Sequence, residues 1–183
     1  MKKALVILGV LVALCAAAMA GFLFYTKSFS PEKRLTLKEE GVELTVKYCR
    51  PYKRERKIFG ALVPFGKMWR TGANEATIFD TKQKLRIGGE DLPAGTYSLW
   101  TIPEEDYWTI VFNGEYGQWG IRASDGEANH DPDMDVLRVK APARTSTIPI
   151  EQFTITLQKS ESIVTLALAW DDTQVALPME LVQ

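Results

Sequence analysis

The chain has 183 residues, of which 25% are charged, with 22 Lys and Arg against 23 Asp and Glu. This length suits one domain of ordinary size and an additional short segment. Nucleic-acid binding needs a clear basic excess, which this balance of charges excludes, so we expect no nucleic-acid partner.

The N-terminal segment, residues 1–25, has the composition of a membrane anchor or a signal sequence. After Lys2 and Lys3 the chain is uncharged from Ala4 to Tyr25. A helix of that length spans about 33 Å, the thickness of a bilayer core, so residues 4–25 are expected to contact the membrane. The two lysines favour a cytoplasmic N-terminus. The rest of a single-pass inner-membrane protein would then lie in the periplasm or outside the cell.

Cleavage is the alternative for the same segment. Residues 18–20, Ala-Met-Ala, fit a signal-peptide cleavage site, and cleavage there would release a secreted domain. The apolar run continues to Tyr25, which favours an uncleaved anchor. Lipoprotein processing at Cys15 is a weaker alternative, because the bulky Leu14 precedes it.

Residues 26–34 are polar and are expected to form a tether, and residues 35–183 to form a β domain. Apolar residues recur at every second position in four segments, which are Val42–Tyr48, Trp108–Phe112, Phe153–Leu157 and Val164–Trp170. This alternation is typical of strands with one buried face. Frequent Gly, Pro and Asn turn signals separate about eight to ten such strands. The pattern predicts an all-β fold, an antiparallel β-sandwich of Greek-key, immunoglobulin-like or jelly-roll-like type, with one N-terminal transmembrane helix.

The stretch Leu92–Leu99 predicts a specific corner within this sandwich. Pro93 and Gly95 favour a tight turn, and Tyr97 follows on the next strand. Its hydroxyl is expected to bond back to the backbone of the turn, as in the tyrosine corner of Greek-key sandwiches.

The loop Gly66–Thr77 gathers an aromatic ring, a cation, an amide and a carboxylate. As a binding site, Arg70 would hold an anionic or hydroxyl-rich ligand, Glu75 would accept its hydroxyl protons and Trp69 would stack on an apolar ring face. A carbohydrate fits that description. As a structural device, Arg70 would pair with Glu75 while Asn74 bonds turn backbone groups. The sequence leaves both interpretations open.

Two further arginines are candidates for the same site. Arg56 belongs to a basic run, residues 53–57, and Arg50 precedes this run. On its own, such a run indicates a solvated loop. They could instead converge with Arg70 on one anion, since arginine matches carboxylate and phosphate geometry.

An acidic loop and two cysteines complete the candidates. Asp131, Asp133 and Asp135 alternate as at the start of a calcium loop, but the glycine and final glutamate of that loop are missing. Calcium binding stays open, while the sequence predicts no metal site and no cofactor. Cys49 has no partner outside the membrane segment and is expected to be a small core residue.

Three functional classes follow from these residues. We favour a binding module for a carbohydrate or a protein, displayed outside the inner membrane. A hydrolase would use Glu75 with Arg70 and an acid from the loop 104–106. A purely structural protein of the cell envelope is the third, so whether the chain is an enzyme stays open.

One resemblance supports the fold and adds no reaction. The relevant segments are Arg50-Pro51, Arg56, IFGALVPFGKMWRTGANEATIF, LPAGTYSLWTIP and WTIVFN. Together they resemble a bacterial family of domains of unknown function, the one numbered twenty-nine eleven, whose motif has the form GKxWRTGANEAT. The resemblance implies a secreted or membrane-anchored β protein.

Overall fold

The apolar N-terminal run forms a helix. In the computed structural model, which describes residues 2–182, α1 covers Lys2–Phe29 and buries none of its residues. It is long and apolar enough to cross a bilayer, and a signal sequence near an N-terminus meets the same criteria.

Most of the residues expected to form a tether belong to two regular elements, and only Ser30 and Pro31 lie between them. Thr26 to Phe29 are the last turn of α1, and Glu32 begins the first strand. The backbone N–H of Arg50 donates to the carbonyl of Pro31 at 2.9 Å, which fixes the connection to the domain. The helix therefore leads directly into the β domain.

Nine strands follow within the described residues. They are β1 (Glu32–Glu39), β2 (Val42–Cys49), β3 (Thr77–Thr81), β4 (Leu85–Ile87), β5 (Glu90–Leu92), β6 (Gly95–Pro103), β7 (Tyr107–Asn113), β8 (Asp135–Ser160) and β9 (Ile163–Leu181). Their order is β1-β2-β3-β6-β7-β8-β9-β4-β5, and each neighbouring pair is antiparallel. The predicted all-β antiparallel class is confirmed.

Strand β8 belongs to both halves of this sheet. It pairs with β7 as far as Pro142 and with β9 from Ala143 onward, with register shifts around Ile150. Side chains from both halves pack in one core, including Phe79 and Trp108 from one half and Trp170 from the other. Two layers sharing one core is the arrangement expected of a sandwich.

The sequence periodicity places this core correctly. Along β2, the residues Val42, Leu44, Val46 and Tyr48 are buried and the residues between them are partly exposed. The predicted corner is also confirmed, because the hydroxyl of Tyr97 donates to the carbonyl of Pro93 at 2.8 Å.

Candidate functional site

The loop between Trp69 and Thr77 is bonded to the strands on either side of it. Trp69 exchanges two backbone hydrogen bonds with Thr101 of β6, at 2.7 and 2.9 Å. The hydroxyl of Thr77 donates to the carbonyl of Thr71 at 2.7 Å. Together, these hydrogen bonds at both ends of the loop give it one fixed conformation.

Three backbone positions within this loop are strained or closely packed. Thr71 has φ of 55° and Asn74 has φ of 60°, a region that a β-branched residue rarely adopts. At Gly72 a Cβ would lie 2.9 Å from the carbonyl oxygen of Cys49, so only glycine fits against β2. Backbone strain of this kind is common where a loop positions functional side chains.

Asn74 and Glu75 bind the end of the N-terminal helix. A carboxylate oxygen of Glu75 lies 3.1 Å from Nζ of Lys27, and the thiol of Cys49 donates to the other oxygen at 3.5 Å. The amide of Asn74 donates to the carbonyl of Ser30 at 3.4 Å. These contacts hold the last turn of α1 against the domain.

The electrostatics of Glu75 agree with this structural role. Burial favours its neutral form, but hydrogen bonds from its own backbone amide, from Lys27 and from Cys49 outweigh burial and hold the pKa of Glu75 below its usual value. The carboxylate is therefore ionised and engaged at neutral pH.

Arg70 lies in the wall of a cavity. Its Nε and Nη1 atoms are buried and have no hydrogen-bond partner among residues 2–182. Burial lowers the pKa of Arg70, since the nearby Cys49 and Glu75 compensate only in part. Buried arginine nitrogens normally have hydrogen-bond acceptors. The described residues supply none to these two atoms, so the acceptor would come from a bound anion or carbonyl compound.

Gly120 creates the space for this side chain. It has φ of +93°, and a Cβ there would lie 2.5 Å from Cδ of Arg70 and 2.9 Å from its Cβ. The alkyl part of Arg70 thus packs directly on the backbone at Gly120, which fixes the direction of the guanidinium group.

The cavity beside Arg70 has a volume of about 530 Å³. Its wall comes from four parts of the chain: the end of α1, the segment 51–73, the loop 120–128 and Trp170 of β9. A cavity of this size suits a small-molecule ligand. The charged side chains of its wall are Arg54, Arg56, Lys67, Arg70, Asp125 and Glu127.

The two acids of the wall already have basic partners. Asp125 lies 3.1 Å from Arg122, and Glu127 lies 3.9 Å from Lys67. The guanidinium group of Arg54 instead lies over the ring of Phe29, with its carbon 4.9 Å from the ring centroid. The cavity therefore has an excess of positive charge, which favours anions.

An aromatic cluster forms the floor next to Arg70. Trp69 stacks on Trp170 with a centroid distance of 6.0 Å and an interplanar angle of 16°, and its ring centroid is 5.0 Å from that of Phe153. Its indole N–H donates to the carbonyl of Gly72 at 3.0 Å. Trp69 thus joins the core to the cavity and holds the neighbouring Arg70 in position.

A comparison with protein-family models identifies the family. The model described as "Protein of unknown function (DUF2911)" matches residues 30–179. The chain belongs to this family. A search of curated proteins and a search of solved structures gave no match. The resemblance inferred from the motif is confirmed, and the match begins where the helix of this DUF2911 chain ends.

The structure of this DUF2911 chain places the six candidate residues in three different environments. Trp69, Arg70 and Arg56 line the cavity. Asn74 and Glu75 hold the end of the helix. The sixth, Arg50, donates through its guanidinium group to the carbonyl of Phe153 and the hydroxyl of Thr154 on β8, at 3.1 and 2.9 Å.

Sequence reasoning did not identify two residues on which this arrangement depends. Lys27, the first charge after the apolar run, is the partner of Glu75. Gly120, far away in sequence, provides the space for Arg70. The sequence did contain an indication for Gly120, because glycine is the residue that lets another group approach the backbone closely.

The acidic loop uses its carboxylates within the protein. Asp131 accepts from the backbone N–H of Asp133 at 3.0 Å at the start of the short 3₁₀ turn Pro132–Met134. One oxygen of Asp135 lies 2.7 Å from Nε2 of His130 and accepts from the amide of Asn113 at 2.8 Å. These contacts give the loop a structural role.

Cys49 is expected to react slowly with thiol reagents in the folded protein. Burial, with the neighbouring Glu75 carboxylate, raises the pKa of Cys49 to about 11. The reactive thiolate is therefore scarce at pH 8, whereas an unfolded cysteine has a pKa of about 8.5. Labelling of a Cys15→Ser variant with a chromogenic disulfide at pH 8 measures this. Equal labelling rates in buffer and in denaturant would contradict it.

Gly120→Ala is expected to destabilise the fold by about 3 kcal/mol, because both the positive φ and the clash with Arg70 contribute. Gly117 provides a matched control. It has the same φ of +93° and no neighbour within 4 Å of an added Cβ. Gly117→Ala should therefore cost only about 1 kcal/mol. Urea unfolding of the full chain in a neutral detergent measures both, and equal losses would show that Arg70 does not pack on Gly120.

Proposed function

We propose that this chain is a membrane-anchored domain that binds a small anionic ligand in the Arg70 cavity. The long apolar helix α1 supports anchoring. Lys2 and Lys3, which precede the apolar run, favour an orientation that leaves the β domain outside the inner membrane. The observation that carries the binding role is the pair of buried Arg70 nitrogens without partners.

The chemistry of the wall defines the class of ligand. The Nε and Nη1 donors of Arg70 lack acceptors, and the oxygens of a carboxylate or a phosphate are the charged acceptors that a guanidinium group prefers. Arg54 and Arg56 are exposed and add positive charge to the same wall. Leu62 and Met68 supply apolar surface on the same wall, so the ligand combines an anionic group with an apolar part.

Noncatalytic binding fits the site better than hydrolysis does. Glu75, the carboxylate of the hydrolase hypothesis, is bound to Lys27 and does not belong to the lining of the cavity. Its pKa is lowered, whereas a general acid working near neutral pH needs a raised one.

Calorimetric titration of the full chain in a neutral detergent tests this function. The probes are inorganic phosphate and phenyl phosphate, of which the second adds an apolar ring. We expect saturable binding by the wild type and binding weaker by about 100-fold in Arg70→Gln, because charge-assisted hydrogen bonds are lost.

The matched control is Arg144→Gln, which removes an exposed arginine on β8 that does not belong to the lining of the cavity. It should bind both probes as the wild type does. Equal losses in the two variants would show that binding depends only on net charge, and unchanged binding by Arg70→Gln would place the anion elsewhere.

A further inference from the structure

We infer that the anion bound in the Arg70 cavity is the phosphate headgroup of an anionic membrane lipid. This inference rests on the proposed function, and it adds the source of the ligand. A soluble phosphate compound would offer the same chemistry to Arg70. The position of the cavity relative to the membrane distinguishes the two sources.

A ring contact between α1 and the domain indicates where the cavity would lie relative to the bilayer. The centroid of Trp119 lies 6.0 Å from that of Phe22. Phe22 belongs to the uncharged run Ala4–Tyr25, about 7 Å along the helix axis before the first charge, Lys27. When α1 crosses a bilayer, Trp119 therefore lies at the boundary between hydrocarbon and headgroups, where tryptophan is enriched in membrane proteins.

The loop that carries Trp119 also forms a wall of the cavity. Gly120 and Ile121 follow Trp119 directly and line it, and Phe29 and Ser30 at the end of α1 line it as well. The opening of the cavity is thus bounded by residues that adjoin the membrane span. A lipid headgroup can reach Arg70 from this layer without leaving the bilayer.

Exposed aromatic side chains lie near Trp119 and Phe22 in the sequence. Tyr116 is 55% exposed and precedes Trp119 in the loop, and Phe24 of α1 is 81% exposed. In water such side chains gain nothing from exposure, whereas at an interface both rings contact lipid and the hydroxyl of Tyr116 contacts water.

The charge of the cavity selects anionic headgroups over zwitterionic ones. Arg54 and Arg56 line the cavity and are exposed, so they would repel the choline group of phosphatidylcholine. A phosphatidylglycerol headgroup carries the phosphate without a cation. Basic side chains near an anionic leaflet are attracted to it in the same way.

Nanodiscs of two compositions test the source of the phosphate. The full chain is placed in phosphatidylcholine discs and in discs that also contain phosphatidylglycerol, and its thermal unfolding midpoint is measured. We expect the anionic lipid to raise the midpoint of the wild type and of Arg144→Gln by several degrees, and to leave Arg70→Gln unchanged, since only a ligand of the folded state stabilises it. An equal rise in all three chains would overturn the inference.

Inorganic phosphate added to the phosphatidylcholine discs separates this inference from the proposed function. If free phosphate stabilises the wild type and phosphatidylglycerol does not, the cavity binds a soluble anion and the lipid inference is wrong. If neither stabilises the chain, the proposed function fails as well.

A depth measurement provides a test that does not depend on Arg70→Gln folding. Trp100, Trp108 and Trp170 are at most 1% exposed, which leaves Trp119 and the partly exposed Trp69 as the rings that lipids brominated near the headgroup can quench. Comparison of the wild type with Trp119→Phe isolates the part that is due to Trp119. We expect quenching in the wild type and its loss in Trp119→Phe. Quenching that is absent from the wild type would place the loop away from the bilayer and overturn the inference.

Discussion

Replacing Arg70 with methionine is expected to raise the free energy of unfolding by about 2 kcal/mol in buffer free of multivalent anions, while anion binding is lost. Two guanidinium nitrogens are buried without acceptors, and removing them removes a desolvation cost. Methionine retains an unbranched apolar chain that can pack on Gly120 as the Arg70 stem does. A residue that weakens the fold and enables binding is typical of a functional site.

Urea unfolding of the full chain in a neutral detergent measures this change. Arg144→Met is the control, because this exposed arginine on β8 should alter the unfolding free energy by no more than about 0.5 kcal/mol. Saturating phosphate should stabilise the wild type and leave Arg70→Met unaffected. A clear loss of stability in Arg70→Met would mean that the guanidinium group supports the fold.

Asp135→Ala is expected to lower the free energy of unfolding by about 3 kcal/mol. The Asp135 side chain is 10% exposed and that of its partner His130 is 6% exposed. Arg138 lies 2.5 Å from the other carboxylate oxygen. Removal of Asp135 would leave the His130 ring and the amide of Asn113 buried without this acceptor.

Asp133 offers a matched control two residues away. It is exposed, and its described hydrogen bond uses its backbone N–H rather than its carboxylate. Asp133→Ala should therefore change the unfolding free energy by less than about 0.5 kcal/mol. If the two variants unfold at the same urea concentration, the Asp135 contacts contribute nothing to stability.

The Asp135 contacts also give stability a defined pH dependence. Burial favours the neutral carboxyl, but Asn113, His130 and Arg138 outweigh it and hold the pKa of Asp135 below its usual value. A pKa that is lower in the folded state stabilises the fold above the unfolded value of about 3.9. This contribution is lost as the pH falls through the folded pKa. Wild type should therefore lose more stability than Asp135→Ala on acidification below pH 4.

The fold was largely predictable because its signals are local. Alternation along β2 depends only on which face of the strand is buried, and neighbouring residues in the sequence report it directly. Tyr97 was predictable for the same reason, since it bonds to Pro93 within its own turn. The division of residues 26–34 between α1 and β1 was not, because polar residues suit a helix end, a strand edge or a tether equally.

The candidate site was predictable only in part because its partners come from distant segments. Sequence reasoning considered pairing Arg70 with Glu75 five positions away, whereas Glu75 contacts Lys27 and Arg70 packs on Gly120. Proximity in the sequence suggests a partner, but the pairing of strands decides which side chains meet. The grouping of Trp69, Arg70 and Arg56 depends on that three-dimensional arrangement.

Crystals of the full chain grown with tungstate, a heavy analogue of phosphate, test the central claim most directly. The anomalous signal locates the anion without reference to any variant. We predict a peak in the cavity about 4 Å from Nε or Nη1 of Arg70, since the tungsten atom lies one bond beyond the oxygen that accepts the charge-assisted hydrogen bond. A peak only at exposed basic side chains outside the cavity, with the Arg70 nitrogens still without an acceptor, would contradict the proposed anion site.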